Sequence, residues 1–172
     1  NTNVVNVLAG PLPPASEVDI GDQYVVWVES SDLRSGLQSD IVVYDLENKI
    51  WIKFTTTPVT DESSPSTSGD WVVWQAQDHG VSDIRIEAIN RTTSDWRVVV
   101  DDNSINVRPS MEGDLIAWES IVNGDLDVYI YRISTEETFP VTTDPSDQFL
   151  NDVFGNKVAY VDTRYENLDI FV

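Results

Sequence analysis

The chain repeats one unit of about 43 residues four times, and this repetition constrains its fold more than any other feature. Each copy carries a glycine (Gly21, Gly69, Gly113, Gly155), then a short run that is mostly apolar and ends in an aromatic (Trp27, Trp74, Trp118, Tyr160). The aromatics lie 47, 44 and 42 residues apart. A second anchor, an aspartate opening another apolar run, recurs at Asp40, Asp83, Asp127 and Asp169. Periods of about 40–50 residues rich in strand formers describe the blades of a β-propeller. The expected fold is therefore all-β, built from four-stranded antiparallel blades, with residues 1–172 forming one propeller domain.

Each copy divides into four short strands. In the second copy these start near Ser64, Trp71, Asp83 and Asp95, with Gly69-Asp70 and residues 91–94 as turns. The second strand is apolar on both faces, as a strand between two neighbouring blades must be. Pro140 lacks the amide that a central ladder needs, so the strand carrying it belongs at an outer edge. The copies run over about 9–57, 58–102, 103–144 and 145–172. The last stops after its third strand, and residues 3–8 read as the missing fourth. The expectation is a four-blade chain whose N-terminal strand closes the last blade, hiding an open sheet edge. Two alternatives stay open: two chains exchange first strands to give an eight-blade dimer, or the chain is cut from a longer propeller.

Composition narrows the function classes. The net charge is −20, from 30 acids against 10 bases, and this repels a phosphate backbone, so no nucleic-acid partner is expected. Twenty of the acids are Asp, which fits either turn chemistry or adaptation of the surface to salt. No apolar run approaches the ~20 residues of a membrane-spanning helix, so no membrane insertion is expected. The chain opens at Asn1 with no charged-then-apolar leader, as a trimmed or signal-processed chain would. Cysteine is absent, which removes disulfides, thiolate nucleophiles and cysteine metal sites.

The anchors resemble the TolB-like β-propeller repeat. The matching stretches run from Pro65 through Gly69-Asp70, from Pro109 through Gly113-Asp114, from Asn123 to Tyr129, and over Val141-Thr142. The first and fourth copies depart from that pattern, with Glu17 and Asn151 where the proline would stand. The first anchor also holds one extra residue, and four blades are fewer than such proteins usually have. The resemblance implies a secreted, periplasmic or surface-attached binding scaffold. It implies no catalytic residues.

The candidate chemistry is sparse. The recurring aspartates are expected to accept backbone amides in the turns before their strands. Asn123, Asp125 and Asp127 have the oxygen-rich composition of a Ca²⁺ loop without its spacing, so no cofactor is expected beyond that one candidate. His79 is the single histidine, and no nucleophile motif accompanies it. Asp19, Glu112 and Asp152 fall on inner strands and are expected to point toward the propeller axis, lined otherwise by Ser66, Ser68 and Ser110. Glu62, Arg108 and Gln148 lie between copies, where a contact face is expected.

Two functional readings follow. The first is a non-enzymatic extracellular or periplasmic scaffold, monomeric or homodimeric, that holds a protein or a glycan. The alternative is a carbohydrate-active, glycosidase-like enzyme that uses the axial acids.

Overall fold

A computed structural model describes residues 14–30, 38–122, 124–142 and 144–172, apart from the side chain of Asn151. Residues 3–8, expected to close the last blade, and Asn123 lie outside the described residues. The described chain contains fifteen strands and no helix. Blade 1 holds β1 (Ala15–Ile20), β2 (Tyr24–Ser30), β3 (Ser39–Asp45) and β4 (Ile50–Lys53). Blade 2 holds β5 (Thr60–Ser68), β6 (Trp71–Asp78), β7 (Arg85–Asn90) and β8 (Trp96–Val100). Blade 3 holds β9 (Ile105–Glu112), β10 (Leu115–Val122), β11 (Asp125–Arg132) and β12 (Glu137–Pro140). Blade 4 holds β13 (Gln148–Phe154), β14 (Lys157–Asp162) and β15 (Asp169–Phe171). Every sheet is antiparallel and in sequence order from inside to outside, and Pro140 sits on the outer edge strand β12. The described residues form four blades of a β-propeller.

The core lies between blades. Tyr24, Val26 and Ile41 of blade 1 pack on Val72 and Trp74 of blade 2. Val73 and Ile86 of blade 2 pack on Met111 and Trp118 of blade 3, and Leu115 and Ala117 of blade 3 pack on Val153 of blade 4. The second strands of blades 2 and 3 are buried on both faces, with Val72, Val73 and Trp74 each at 0% exposure, because each has a neighbouring blade on either side.

Each inner strand carries a β-bulge, between Ser16 and Asp19, Ser63 and Ser66, Val107 and Ser110, and Leu150 and Asp152. At the first three bulges Glu17, Ser64 and Arg108 take positive φ (52°, 49° and 53°), which bends the strand around the axis. A bulge frees backbone amides from the ladder, and the preceding blade satisfies one at every junction. The Ser64 amide donates to Glu17 Oε2 at 2.5 Å, the Arg108 amide to Gln75 Oε1 at 3.0 Å, and the Leu150 amide to Glu119 Oε1 at 2.9 Å.

The anchor glycines have two different reasons. Gly69, Gly113 and Gly155 open two-residue hairpin turns at φ of 53°, 56° and 60°, a conformation that disfavours a side chain. Gly21 has no such φ and is required for space, since a Cβ there would stand 2.8 Å from the Thr67 carbonyl oxygen of blade 2. That backbone cannot withdraw easily, because the Thr67 amide is held by Asp19 Oδ2 at 2.9 Å. Gly21→Ala is expected to cost about 1–3 kcal/mol through this overlap. A urea midpoint equal to wild type would remove the close approach.

The recurring aspartates do not all play the expected part. Asp40 is 1% exposed and pairs through Oδ2 with Lys53 Nζ at 2.6 Å, while its other oxygen has no hydrogen-bond partner among the described residues. The turn amides are held elsewhere. Asp45 accepts from Glu47 and Asn48, Asn90 from Thr92 and Thr93, and Asp114 from Ser134. Asp45 and Asn90 end the strand before their turn and Asp114 lies in the hairpin turn between β9 and β10, whereas the recurring aspartates sit inside or beside a ladder that already occupies the local amides.

Candidate functional site: the axial cavity

The four inner strands end around one cavity of about 460 Å³, lined by residues 19–22, 66–68, 110–112 and 152–154. Each blade contributes one group because each inner strand ends at the same level before its hairpin turn. Asp19, Ser66, Ser110 and Asp152 are register equivalents, opposite Val26, Val73, Ala117 and Ala159 of the second strands. All three axial acids expected from the sequence, Asp19, Glu112 and Asp152, line this cavity together with Ser66, Ser68 and Ser110. Asp22, in the turn between β1 and β2, also lines it. Among the described residues, the lining holds four carboxylates and no base.

Most of these polar groups also tie blade to blade. Asp19 accepts the Thr67 amide, and Ser66 Oγ accepts the Met111 amide at 3.2 Å. Ser68 Oγ accepts the Gly113 amide at 3.0 Å and donates to Glu112 Oε2 at 3.4 Å. Ser110 Oγ donates to Asp152 Oδ1 at 3.3 Å, which also accepts the Val153 amide at 2.8 Å. Glu112 makes the longest of these contacts and, of the three acids expected on the axis, is the one least committed to the scaffold.

The three residues expected at a contact face are placed differently from one another. Glu62 is 2% exposed. It receives Thr57 Oγ1 at 2.6 Å and Thr55 Oγ1 at 3.1 Å across the junction between blades 1 and 2. Burial pushes its carboxyl up to about 7, with Asp40 and Glu87 adding to the rise against those two hydroxyls. Gln148 is fully buried, and its amide donates to the Asp144 carbonyl at 3.2 Å and to the Ser146 carbonyl. Both side chains are withdrawn from solvent because strands β5 and β13 begin well inside the blade packing. Of the three, only Arg108 is open, at 67% exposure, and its guanidinium meets buried Glu119 at 3.1 Å. Burial raises the Glu119 carboxyl, opposed by Arg108 and by the Leu150 amide.

Asp125 and Asp127 line a second cavity of about 280 Å³ with Val122, Tyr129, Thr142 and Asp144. Burial raises the Asp127 carboxyl, and Asp125 and Asp147 raise it further. Among the described residues, no group of three or more potential ligands is arranged to hold a metal ion. His79 Nε2 lies 3.3 Å from Asp61 Oδ2.

The sequence reading missed the junction acceptors Gln75 and Glu119. Their signal was their position, since both directly follow the anchor tryptophans Trp74 and Trp118.

No protein-family model matches the sequence, and no curated protein matches it. Solved structures are similar in fold. TolB from Acinetobacter baumannii is 15% identical with a TM-score of 0.59, over 92% of this chain and 43% of that one. The β-propeller domain of the Trilobed protease from Pyrococcus furiosus, which has an open velcro topology, is 10% identical with a TM-score of 0.59 over 92% and 56%. Oligogalacturonate lyase from Vibrio parahaemolyticus is 13% identical with a TM-score of 0.57 over 89% and 52%. The chain spans about half the length of each. At these identities the likeness shows the propeller fold, and TolB is a neighbour at the level of fold alone.

Proposed function

We propose that the chain is a non-enzymatic binding module, acting outside the cytoplasm, whose axial cavity receives a basic group of a partner protein. The observation that carries this reading is the cavity lining: among the described residues it holds four carboxylates and four Ser or Thr residues, drawn from four blades, with no lysine or arginine. Converging carboxylates favour an ammonium or guanidinium group, which they meet with charge-assisted hydrogen bonds. The same charge opposes an acidic polymer such as an oligogalacturonate, so the activity of that structural neighbour is not carried over.

A glycosidase needs one carboxyl free to give a proton and another free to act as base or nucleophile. Asp19 and Asp152 are instead engaged in backbone amide bonds that hold inner strands in place. This favours a scaffold over the carbohydrate-active alternative.

Isothermal titration with trilysine tests the reading. Binding is expected for trilysine and absent for triglutamate, weakening as salt rises. Glu112→Gln is expected to weaken it by about three- to tenfold, the effect of one partly screened charge. Equal binding of both peptides, or trilysine binding unchanged in Glu112→Gln, would remove the axial cavity as its site. Hydrolysis of a neutral oligosaccharide that is lost in Glu112→Gln would favour the enzyme instead.

A further inference from the structure

Blade 3 departs from the other blades at one corner, near the start of its third strand and on the face that holds the anchor aromatic. In blade 1 this corner carries Asp40, which Lys53 on β4 neutralises at 2.6 Å. In blade 2 the equivalent residue is Arg85, which pairs with Glu87 at 2.6 Å and with Asp78 at 3.1 Å. In blade 4 it is Asp169, directly across from Asp162, which Arg164 holds. In blade 3 it is Asp127, and Pro140 stands opposite Tyr129 where Lys53 stands opposite Val42. The charged groups acting on Asp127 are Asp125 and Asp147, both acids. Among the described residues, neither Asp125 nor Asp127 has an ion pair or a side-chain hydrogen bond.

The cavity of about 280 Å³ lies at this corner, with Asp125, Asp127 and Asp144 as its acids and Tyr129, Pro140 and Pro145 as apolar walls. Arg164 lies 3.9 Å from Asp144 and answers only that acid. Tyr129 is fixed by stacking on Trp118, with ring centroids 5.9 Å apart. Ser120 is an independent mark of a missing partner. It sits directly across from Asp127, and strand alternation turns it to the face that bears Val122, Asp125 and Tyr129, all of which line the cavity. It is 2% exposed, and its Oγ has no hydrogen-bond partner among the described residues. Buried hydroxyls are ordinarily paired.

We propose that this cavity binds a lysine side chain of a partner protein, whose ammonium takes the place that Lys53 fills in blade 1. The site shares no residue with the axial cavity and does not depend on the reading of it. An ammonium carries three donors, for which Asp125, Asp127 and Ser120 are acceptors. Its alkyl stem suits the tyrosine and proline walls. It also relieves the repulsion between neighbouring carboxylates. A metal ion fits less well, because among the described residues no three potential ligands are arranged to hold one.

Amide chemical-shift mapping with Nα-acetyl-lysine amide tests the proposal. Shifts are expected at residues 125–129 and at Asp144, and not with Nα-acetyl-norleucine amide, which keeps the stem and lacks the charge. Asp127→Asn is expected to weaken the response there about tenfold. Pro140→Lys supplies the ammonium from within the chain, as blade 1 does, and is expected to abolish the response. Its place on the outer edge strand lets the fold accept the change. Glu112→Gln is expected to leave these residues unaffected, so the axial site and this one fail or succeed on separate signals. Four results would overturn the proposal: no shifts at these residues, equal shifts with the norleucine amide, full binding in Asp127→Asn, or Ca²⁺ binding there more tightly than the lysine amide.

Discussion

Trp74→Ala should lower the stability of the chain by about 3–5 kcal/mol, the largest loss expected from any single truncation here. Trp74 is 0% exposed and lies on the face of blade 2 that packs against blade 1. It meets Phe54 edge-on at 5.5 Å and Trp96 edge-on at 5.1 Å, and Arg91 lies 5.0 Å over the Phe54 ring. Such pairs add about 0.5–1.5 kcal/mol beyond area burial. Truncation therefore opens a cavity and also separates two blades whose contact depends on this cluster. The equivalent Trp118 differs in one respect, because its Nε1 donates to buried Asn106 at 3.1 Å. Trp118→Phe would leave that amide oxygen without its donor. The Trp74 indole nitrogen has no hydrogen-bond partner among the described residues, so Trp74→Phe should be the milder change. Urea unfolding of the three variants checks this. A Trp74→Ala loss below about 1 kcal/mol would mean that the junction does not rest on the cluster.

The second large effect is a dependence of stability on pH centred on Glu62. Its carboxyl is raised from 4.5 to about 7 in the folded chain, chiefly by burial. The folded state then binds more protons than the unfolded state between these values, so stability falls as pH rises from about 4.5 to about 7. The stabilisation from this group is complete below the lower value and gone above the upper one. A shift of this size corresponds to about 3 kcal/mol. The surroundings explain it. Asp40 with Lys53, and Glu87 with Arg85, face the same region, so three buried acids share two bases. Glu119 and Asp127 are also raised by burial and act in the same direction. Asp45, Asp78, Asp114 and Asp162 are lowered by hydrogen bonds and act oppositely, losing their contribution only as pH falls through the acidic range. Glu62→Gln keeps the two threonine contacts and removes the titration. Denaturation midpoints taken at about pH 5 and about pH 7.5 should differ clearly in wild type and much less in the variant. Equal pH slopes in the two proteins would rule out Glu62 as the source.

The blade count, the strand order and the axial acids were legible in the sequence because they are periodic. A glycine turn, a buried second strand and an inner strand recur at nearly fixed spacing, which brings Asp19 and Asp152 to equivalent places at the axis and Glu112 to the end of the third inner strand beside them. Burial at the blade junctions was not legible. Glu62 and Gln148 are polar residues at loop-like positions, yet the bulged inner strands extend further than their apolar pattern suggests. Strand β5 begins at Thr60, four residues before its expected start, and this carries Glu62 inside. The recurring aspartates misled for a related reason, since regular spacing reports a shared place in the ladder and says little of which oxygen meets which amide.

The most direct test of the axial site is an amide chemical-shift map during titration with trilysine. Shifts should concentrate in residues 19–22, 66–68, 110–112 and 152–154, one group from each blade, because those amides surround the converging carboxylates. Shifts confined to the outer strands β4, β8 and β12, or spread evenly over the acidic surface, would contradict it.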